Sequence, residues 1–485
     1  MDLAKIARPD YLYLSHTHHD HFDPRFLRDH VSKETTVLLP DHPLEIAEKA
    51  LRRLGFTKFI QTKNAVPLDL DGLRIMITAL VSPTDGPLGD SGLCVDDGEV
   101  RIFDQNDSRP VEFEALSRFG PFDAHFLQFS GAIWYPMVYR YPPKAKDALA
   151  RKKRANQLSR ALRYVEQIGT THIIPHAGPP CFLDDDLFHL NDFDRDPLNI
   201  FPDQPVFLEY LREHGHDNGQ LMIPGSVMTL TKERCEVVHP VPDEEVCGIF
   251  HDKRRYLEAY QARQRPTIAA EKTGWVRGKV DILPALKEWI EPLLDLADLT
   301  CVGIDGRVLL DCGEPGVVLD FRQRRVYAWE GDRCEYQFHL DPALVETCIA
   351  RHDEDWVNQI FLSCRFEADR KGPYNEYVYS FFKCLSPERI EYAEGFYAEQ
   401  SSEQTLWECD GYRIQRRCPH LKADLTRFGQ VENGVLTCTL HGWQFELATG
   451  RCLTSDDRHL HTEQIAGEAP CPGGCAKADI ESAAG

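Results

Sequence analysis

The sequence predicts a multidomain chain with an α/β unit first, an α+β unit in the middle and an all-β unit last. Its 485 residues exceed what one hydrophobic core usually serves, since domains hold about 100–200 residues. The first part of the chain alternates short apolar runs with segments of helical periodicity. From about residue 396 the chain turns to short strands and turns that carry cysteine and histidine.

Residues 1–234 form the predicted α/β unit. Five apolar runs have strand character, and two longer segments have helical spacing. Alternation of this kind is typical of a layered α/β domain. The predicted strands are 11–15, 36–40, 73–80, 100–103 and 125–129, and the predicted helices are 43–54 and 146–167.

Residues 235–395 form the predicted α+β unit. A helix is expected at 285–299, followed by a β-rich stretch and a second helix at 342–351. Two aromatic-rich runs, 361–368 and 376–384, are predicted to pair as strands. Residues 396–470 are then the predicted all-β unit, and 471–485 are rich in Pro, Gly and Ala and predict a loose tail.

Two short Cys/His pairs mark the last unit. Cys418 and His420 are separated by one residue, Cys438 and His441 by two, with 17 residues between the pairs. A Rieske [2Fe–2S] centre needs two thiolates on one iron and two imidazoles on the other, which this spacing supplies. A structural zinc site is the alternative, although it more usually shows paired Cys followed by paired His. The segment HGWQFELATG (441–450) is similar to the second cluster loop of Rieske oxygenases and ferredoxins.

A second metal site is predicted near the N-terminus. The segment SHTHHDHFDP (15–24) follows a predicted strand and brings imidazoles and carboxylates together, as a metal that binds water or oxygen requires. A chance cluster of surface histidines is the alternative. The H-x-H-x-D-H pattern resembles the metallo-β-lactamase superfamily. The candidate ligands in this segment are His16, His18, Asp20 and His21, and Asp20 and His21 are also the candidate catalytic residues.

The same resemblance implies ligands from later strand ends. Asp107 fits the bridging carboxylate, with Asp104 the less favoured substitute, and His176 fits the last histidine. The superfamily's further histidine, after the strand at 73–80, is missing. Asp85 or Asp90 could replace it, or His125 could be recruited, although a core role suits His125 better. Exchange of a histidine for a carboxylate favours iron over zinc, with one or two ions bound.

A Rieske cluster combined with this fold resembles the CMP-N-acetylneuraminate hydroxylase family, although the order of the domains differs. Segments 126–136, 176–182 and 361–384 carry the resemblance, and the middle unit also looks like a sterol-carrier-like domain. The resemblance implies a Rieske-coupled non-heme iron monooxygenase. Electrons would pass from the cluster to iron in the N-terminal site, which activates O₂ to hydroxylate or N-oxygenate a small polar substrate.

Two other functions stay open. The chain could be a zinc-dependent hydrolase in which the cluster only senses redox state, or a non-catalytic electron carrier. Bound metal separates the three, because iron favours the oxygenase, zinc the hydrolase and an empty N-terminal site the carrier.

Composition restricts the partners. A net charge of −22 argues against nucleic acid and anionic membranes. No secretion signal and no apolar run of ~20 residues is found, which predicts a cytoplasmic protein.

Since no nucleotide-binding glycine motif appears, electrons are expected from an external reductase or a ferredoxin- or cytochrome-type donor. A basic run at 144–163 is either a solvated helix face or a docking patch for an acidic carrier or an anionic substrate. A homo-oligomer with electron transfer between chains is slightly favoured over transfer within one chain.

Overall fold

The computed structural model describes residues 6–82, 89–193, 198–400, 405–420, 422–440, 442–455 and 458–465. Within these ranges the chain forms three layered units that share hydrophobic cores. The predicted loose tail (471–485), Asp85 and His441 lie outside the described residues. The predicted boundaries after 234, 395 and 470 stay predictions.

The N-terminal unit contains two sheets. A three-stranded parallel sheet has the order β1-β2-β3, and a six-stranded sheet has the order β4-β5-β6-β7-β8-β9, in which β7, β8 and β9 are parallel. The nine strands are β1 Tyr11–Tyr13, β2 Thr36–Leu39, β3 Phe59–Gln61, β4 Leu68–Leu70, β5 Leu73–Leu80, β6 Asp90–Asp96, β7 Arg101–Asp104, β8 Ala124–Gln128 and β9 His172–His176.

Helices cover the outer faces of both sheets, and the inner faces pack on each other through Leu38, Ile75 and Ile77. The result is an α/β layered unit in which the ligand-bearing segments leave the carboxyl ends of strands. The helices of this unit are α1 Pro24–His30, α2 Ile46–Arg53, α3 Phe113–Phe119, α4 Pro143–Ile168 and α5 Gln204–Glu213, with a 3₁₀ turn Phe188–Asn191. All five predicted strands and both predicted helices of this unit are confirmed, with ends shifted by a few residues.

A β-hairpin and two helices lead to the middle unit. They are β10 Val227–Leu230, β11 Cys235–Val238, α6 Asp243–His251 and α7 Lys253–Thr273. The middle unit is a five-stranded mixed sheet, ordered β14-β13-β12-β15-β16, with helices packed on one core. Its elements are α8 Ile282–Leu296, α9 Asp298–Ile304, β12 Arg307–Asp311, β13 Val317–Asp320, β14 Arg325–Ala328, β15 Tyr336–Leu340, α10 Pro342–Arg351, a π-helical turn Val357–Phe361, β16 Phe366–Arg370, α11 Glu376–Lys383 and α12 Pro387–Gln400.

The predicted strand pair in this unit is wrong in one member. Run 361–368 does lead into a strand, β16, but run 376–384 forms helix α11. Its N-terminus is capped by Asn375, whose side chain accepts a hydrogen bond from the Tyr377 N–H (3.0 Å). Seven of the eight residues of α11 are buried, so no polar face marks the helical period, and packing overrides the strand propensity of its aromatic residues.

The C-terminal unit consists of two three-stranded antiparallel sheets, ordered β17-β18-β22 and β19-β20-β21. The loop after β18 carries the predicted cluster ligands Cys418 and His420, and Cys438 is the last residue of β20. Its elements are β17 Leu406–Cys409, β18 Tyr412–Gln415, α13 Leu425–Phe428, β19 Gly429–Glu432, β20 Val435–Cys438, β21 Trp443–Glu446 and β22 Thr462–Gln464.

Helix α4 joins the first and last units. Its residues Leu158, Ala161 and Val165 share one core with Leu436 and Phe445 of the C-terminal unit. The basic run on α4 is therefore not simply a solvated face, and its Arg154 is buried, donating to the carbonyl of Asn199 (3.1 Å). None of the helices in the described ranges is long and apolar enough to cross a membrane.

Candidate functional site

The first candidate site lies in the loop between β1 and α1. The N–H groups of His21 and Phe22 donate to the carbonyl of His18 (3.0 and 2.8 Å), which closes a turn in the loop. Asp23 then caps α1 by accepting hydrogen bonds from two backbone N–H groups, and Pro24 occupies the first position of the helix. The turn and the cap fix the backbone on both sides of the Asp20–His21 pair.

His16 and His18 point their ring nitrogens at one another. Nε2 of His16 lies 2.9 Å from Nδ1 of His18, within hydrogen-bond distance. The other nitrogen of His16 lies 3.1 Å from Oδ1 of Asp90, and both side chains are buried. Asp90 therefore stands behind His16 and fixes its orientation, the usual arrangement for a carboxylate beside a ligand histidine. Burial, followed by the charges of neighbouring histidines and Lys383, lowers the pKa of His18 well below its usual value, which leaves the ring neutral.

His21 and Asp107 complete the cluster. Nε2 of His21 lies 3.3 Å from Oδ1 of Asp107 and 3.6 Å from Oδ2 of Asp20, whose side chain is largely exposed. Ligand atoms of His16, His21 and Asp107 all fall within 4.8 Å of one another. Burial lowers the pKa of His21, but the contacts with Asp107 and Asp20 outweigh it and raise the pKa to about 9.

His176 meets a different carboxylate. It ends β9, and its Nε2 lies 3.1 Å from Oδ1 of Asp104, which ends β7. Asp107 follows a turn in which Asn106 takes a left-handed conformation (φ 59°), a backbone state that Asn tolerates well. The structure therefore brings His16, His18, His21 and Asp107 together with Asp20 at the rim, and sets His176 beside Asp104.

These residues fit a metal ion. In the described part of the chain, Nε2 of His18, Oδ1 of Asp107 and Nε2 of His176 are buried and make no well-directed hydrogen bond. Burying such atoms is costly unless a partner satisfies them. Imidazoles with a carboxylate are a donor set that suits iron or zinc.

The resemblance implied one more ligand histidine, which the sequence lacks. Neither of its candidate replacements in the described part of the chain, Asp90 and His125, joins the cluster as a ligand. His125 is fully buried, with Nε2 2.9 Å from Oε1 of Gln105 and its ring stacked on Phe103 at 5.2 Å. Burial lowers the pKa of His125 to about 3, so it serves as a neutral core residue. Asp90 contacts His16 from behind, as described above.

The metal site opens into a cavity of about 990 Å³ between the first and middle units. His18, Asp20 and Asp107 line one side, with Trp134 beside them. From the middle unit come Lys383, a buried cation at the end of α11, and other polar and apolar side chains. The N-terminal unit therefore forms the side of the cavity that carries the candidate metal ligands, and the middle unit forms the opposite side.

The second site lies in the C-terminal unit. Cys418, His420 and Cys438 are all buried, and the two thiols are in contact. Burial and the Cys438 thiol raise the pKa of Cys418 well above its usual value. The His420 ring stacks on Trp443, with ring centroids 4.3 Å apart. Two thiols and an imidazole that converge in this way fit a [2Fe–2S] cluster.

Sequence reasoning missed the surroundings of His420. Its Nε2 lies 3.9 Å from Oε1 of Glu376, the first residue of α11. The other oxygen of Glu376 accepts from Nη2 of Arg458 (2.6 Å), and both side chains of this ion pair are about 4% exposed. No signal marked Glu376, because the segment had the composition of a strand.

Helix α11 lies between the two sites. Glu376 at its start faces the predicted cluster ligand His420, and Lys383 at its end lines the cavity shared with His18. Lys383 follows Glu376 by seven positions, which corresponds to a rise of about 10 Å along the helix axis. Both sites therefore belong to one folded chain.

Comparison with known families defines the class of protein. A model of the Rieske [2Fe–2S] domain matches residues 405–462, and a model of the Rv3818-like, SCP2-like domain matches residues 282–399. Together with the layered α/β N-terminal unit, these matches confirm the predicted α/β, sterol-carrier-like and Rieske units and the [2Fe–2S] cofactor. The chain is a Rieske iron–sulfur protein, although the individual ligand assignments stay predictions.

The family follows from full-length relatives. The chain is 48% identical over 473 residues to a Rieske 2Fe–2S iron–sulfur protein of Mycobacterium tuberculosis (strain H37Rv), covering 96% of this chain and 92% of the relative. A Rieske 2Fe–2S iron–sulfur protein of Mycolicibacterium smegmatis is also 48% identical, over 479 residues with the same coverage. The chain belongs to this family of Rieske iron–sulfur proteins.

Solved structures show distant similarity. Igni18, a metallo hydrolase from Ignicoccus hospitalis, is 17% identical, covering 47% of this chain and 79% of that one, with a TM-score of 0.31. CmlA, a diiron β-hydroxylase from Streptomyces venezuelae, is also 17% identical, covering 44% of each chain, with a TM-score of 0.30. Similarity at this level carries no information about activity.

Proposed function

We propose that this chain is a Rieske-coupled non-heme iron monooxygenase that oxidises a small polar substrate in the cavity between its first and middle units. The observation that carries the proposal is helix α11, which connects the surroundings of His420 to those of His18 within one chain. An electron carrier would need no second metal site, and a hydrolase would need no route from a cluster to that site.

The iron site would be held by His16, His18, Asp20, His21, Asp107 and His176. When bound, the cluster supplies single electrons and the iron supplies the place where O₂ is reduced. The protein contributes orientation, because Asp90 fixes the ring of His16. It also contributes a proton donor, because the exposed carboxylate of Asp20 lines the cavity beside His21. We assign proton delivery to Asp20, and His21, the other candidate catalytic residue, would bind the metal through Nε2.

The cavity supports a small substrate. Its volume of about 990 Å³ is at the upper end of the range for small-molecule sites, about 300–1,000 Å³. Trp134 offers an aromatic wall, and Lys383 and Arg365 offer positive charge on the side of the middle unit. Electrons would be delivered to the cluster by an external reductase or small carrier.

Transfer within one chain is the arrangement we propose, in place of the inter-chain route slightly favoured from the sequence. The Rieske unit shares a core with α4 of the first unit, and it packs on α11 of the middle unit through Glu376 and Arg458. A partner chain is therefore not needed to bring the two sites near one another.

The test compares variants of each site in protein purified without oxygen. His16→Ala should lose the N-terminal iron and oxygen uptake while keeping the spectrum of the reduced cluster. Cys418→Ala should lose the cluster signal and oxygen uptake while keeping the N-terminal iron. His30→Ala, at an exposed position of α1, is the matched control and should change neither. Full activity with zinc alone in the N-terminal site would contradict the proposal.

A further inference from the structure

Two kinds of aromatic packing meet in the core that joins the first and middle units. The interior of the middle unit is filled mainly by phenylalanine rings, among them Phe338, Phe361 and Phe382, with Tyr336 and Trp356 packed against them. Along the border with the first unit the rings are instead tryptophan and tyrosine. Phenylalanine is difficult to oxidise, whereas tryptophan and tyrosine can lose an electron, so the two sets differ in chemistry as well as in position.

The oxidisable rings form a continuous line. Trp134, in the wall of the metal cavity, lies 5.1 Å from Tyr379 between ring centroids. The hydroxyl groups of Tyr379 and Tyr139 are hydrogen-bonded to each other. Tyr139 stacks on Tyr141 at 5.1 Å, and Tyr141 is only half-buried. The line, which we call the aromatic chain, therefore runs from the cavity to the protein surface.

The surroundings keep the phenols of the aromatic chain neutral. Burial raises the pKa of Tyr379 and of Tyr139 well above the usual value of tyrosine. The guanidinium of Arg370, 5.5 Å from the ring centre of Tyr139, acts in the opposite direction on the pKa of Tyr139, but burial outweighs it. A neutral tyrosine that loses an electron must also lose its proton. The hydrogen bond between the hydroxyls of Tyr379 and Tyr139 allows a radical at Tyr379 to take the hydrogen atom of Tyr139.

We propose that the aromatic chain carries oxidising equivalents from the metal cavity to the surface when oxygen has been reduced there and no substrate is oxidised. This inference rests on the proposed function. Trp134 gives one electron to the oxidant in the cavity and takes one from Tyr379, whose proton passes to water. The Tyr379 radical then takes a hydrogen atom from the hydroxyl of Tyr139. Tyr139 in turn takes an electron from Tyr141 and a proton from water, while Tyr141 loses its own proton to water, which leaves a neutral radical at Tyr141. The radical at Tyr141 is removed by a small one-electron reductant from solution, such as a thiol or ascorbate, which supplies one electron and one proton.

A purely structural role predicts different behaviour. Tyrosine hydroxyls buried in a core need a partner, and Tyr379 and Tyr139 satisfy each other. If packing were their only purpose, Tyr379→Phe would cost about 1–3 kcal/mol, because the buried hydroxyl of Tyr139 loses its partner, and would change nothing else. A loss of this size leaves the protein folded, so the redox readout can be measured in the variant.

The first experiment uses iron-loaded protein without substrate, treated with dilute peroxide and frozen rapidly. Wild-type protein should show a tyrosyl radical by electron paramagnetic resonance, and mass spectrometry should find oxidation at Tyr141. In Tyr379→Phe most of the radical signal should be lost, oxidation should move to Trp134, and iron should be lost faster. Tyr327→Phe, on β14 and outside the aromatic chain, is the matched control. Unchanged positions of oxidation and unchanged iron loss in Tyr379→Phe would overturn the proposal.

The second experiment requires no oxygenase chemistry. Zinc-loaded protein is oxidised from solution by a flash-excited ruthenium complex, and oxidised residues are located by mass spectrometry. Oxidation should reach Trp134 in wild type and Tyr327→Phe but not in Tyr139→Phe. Equal oxidation of Trp134 in Tyr139→Phe would show that the aromatic chain does not conduct and would overturn the inference. Conduction here, with no oxidised residue in any iron-loaded form, would instead contradict the proposed function.

Discussion

Removing the charge of Glu376 should weaken the packing of the Rieske unit on the middle unit. Glu376 and Arg458 form an ion pair that joins α11 to the C-terminal unit, and both side chains are about 4% exposed. Arg458 also lies 5.4 Å from the ring centres of Tyr377 and Tyr397, which hold the guanidinium in place but do not neutralise it. In Glu376→Gln the arginine stays buried opposite a neutral amide.

The size of the effect follows from burial. Breaking a buried ion pair by changing one partner costs about 3–5 kcal/mol, because the remaining charge stays out of water. The chain offers a matched control in Glu388, whose ion pair with Lys49 also joins two units (3.1 Å) but is about half exposed. An exposed pair is worth about 0–1 kcal/mol. Glu376→Gln should therefore lose several times more stability than Glu388→Gln.

Urea unfolding, followed by the visible absorbance of the cluster and by far-ultraviolet circular dichroism, provides the assay. In Glu376→Gln we expect the cluster absorbance to be lost at lower urea than the bulk of the helical signal. Electron transfer from the reduced cluster to the N-terminal iron should slow in the same variant, because α11 no longer fixes His420. Equal destabilisation in Glu376→Gln and Glu388→Gln would refute the role given to this pair.

The remaining predictions concern coupling between chains, metal binding, stability against pH and the reactivity of one lysine. Mixing His16→Ala with Cys418→Ala should restore no oxygen uptake even after proven subunit exchange, because both sites lie in one chain. His21, with its pKa of about 9, keeps its proton at neutral pH in metal-free protein. Iron(II) binding should therefore release about one proton at neutral pH, and fewer as the pH rises through 9. Calorimetry in buffers of different ionisation enthalpy measures the number of protons released. The charge on His21 likewise stabilises the metal-free fold fully below its unfolded pKa, and that stability should fade through pH 9. Burial and two nearby arginines lower the pKa of Lys153 to about 7, so it should be acetylated before other lysines near neutral pH, as peptide mapping would show.

Local patterns were enough to propose candidate ligands, because the residues concerned are close together in the sequence. His16, His18 and His21 stand within six residues, and a strand with a capped helix after it fixes their loop. The Cys418–His420 pair is as compact. The strands of the first unit were predicted because each is a short apolar run between polar turns. Such features depend on a few neighbouring residues, so the sequence contains them.

Helix α11 could not be predicted in the same way. Its residues are buried on nearly every side, so the helical period leaves no polar face in the sequence. Glu376 and Lys383 looked like the ends of a strand, and their partners His420 and His18 lie far away along the chain. The role of Asp90 behind His16 was also out of reach, because it depends on how β6 meets the loop after β1. Contacts between distant segments decide these features.

The central claim is that the Rieske cluster delivers electrons to iron bound in the N-terminal site, where oxygen is reduced. The most direct measurement mixes oxygen with protein whose cluster has been reduced, and follows cluster reoxidation by stopped-flow absorbance in two forms that differ only in the N-terminal metal. Fast reoxidation with iron and slow reoxidation with zinc is the result that this account predicts. Equal rates in the two forms would contradict it, because the cluster would then be reacting with oxygen by itself.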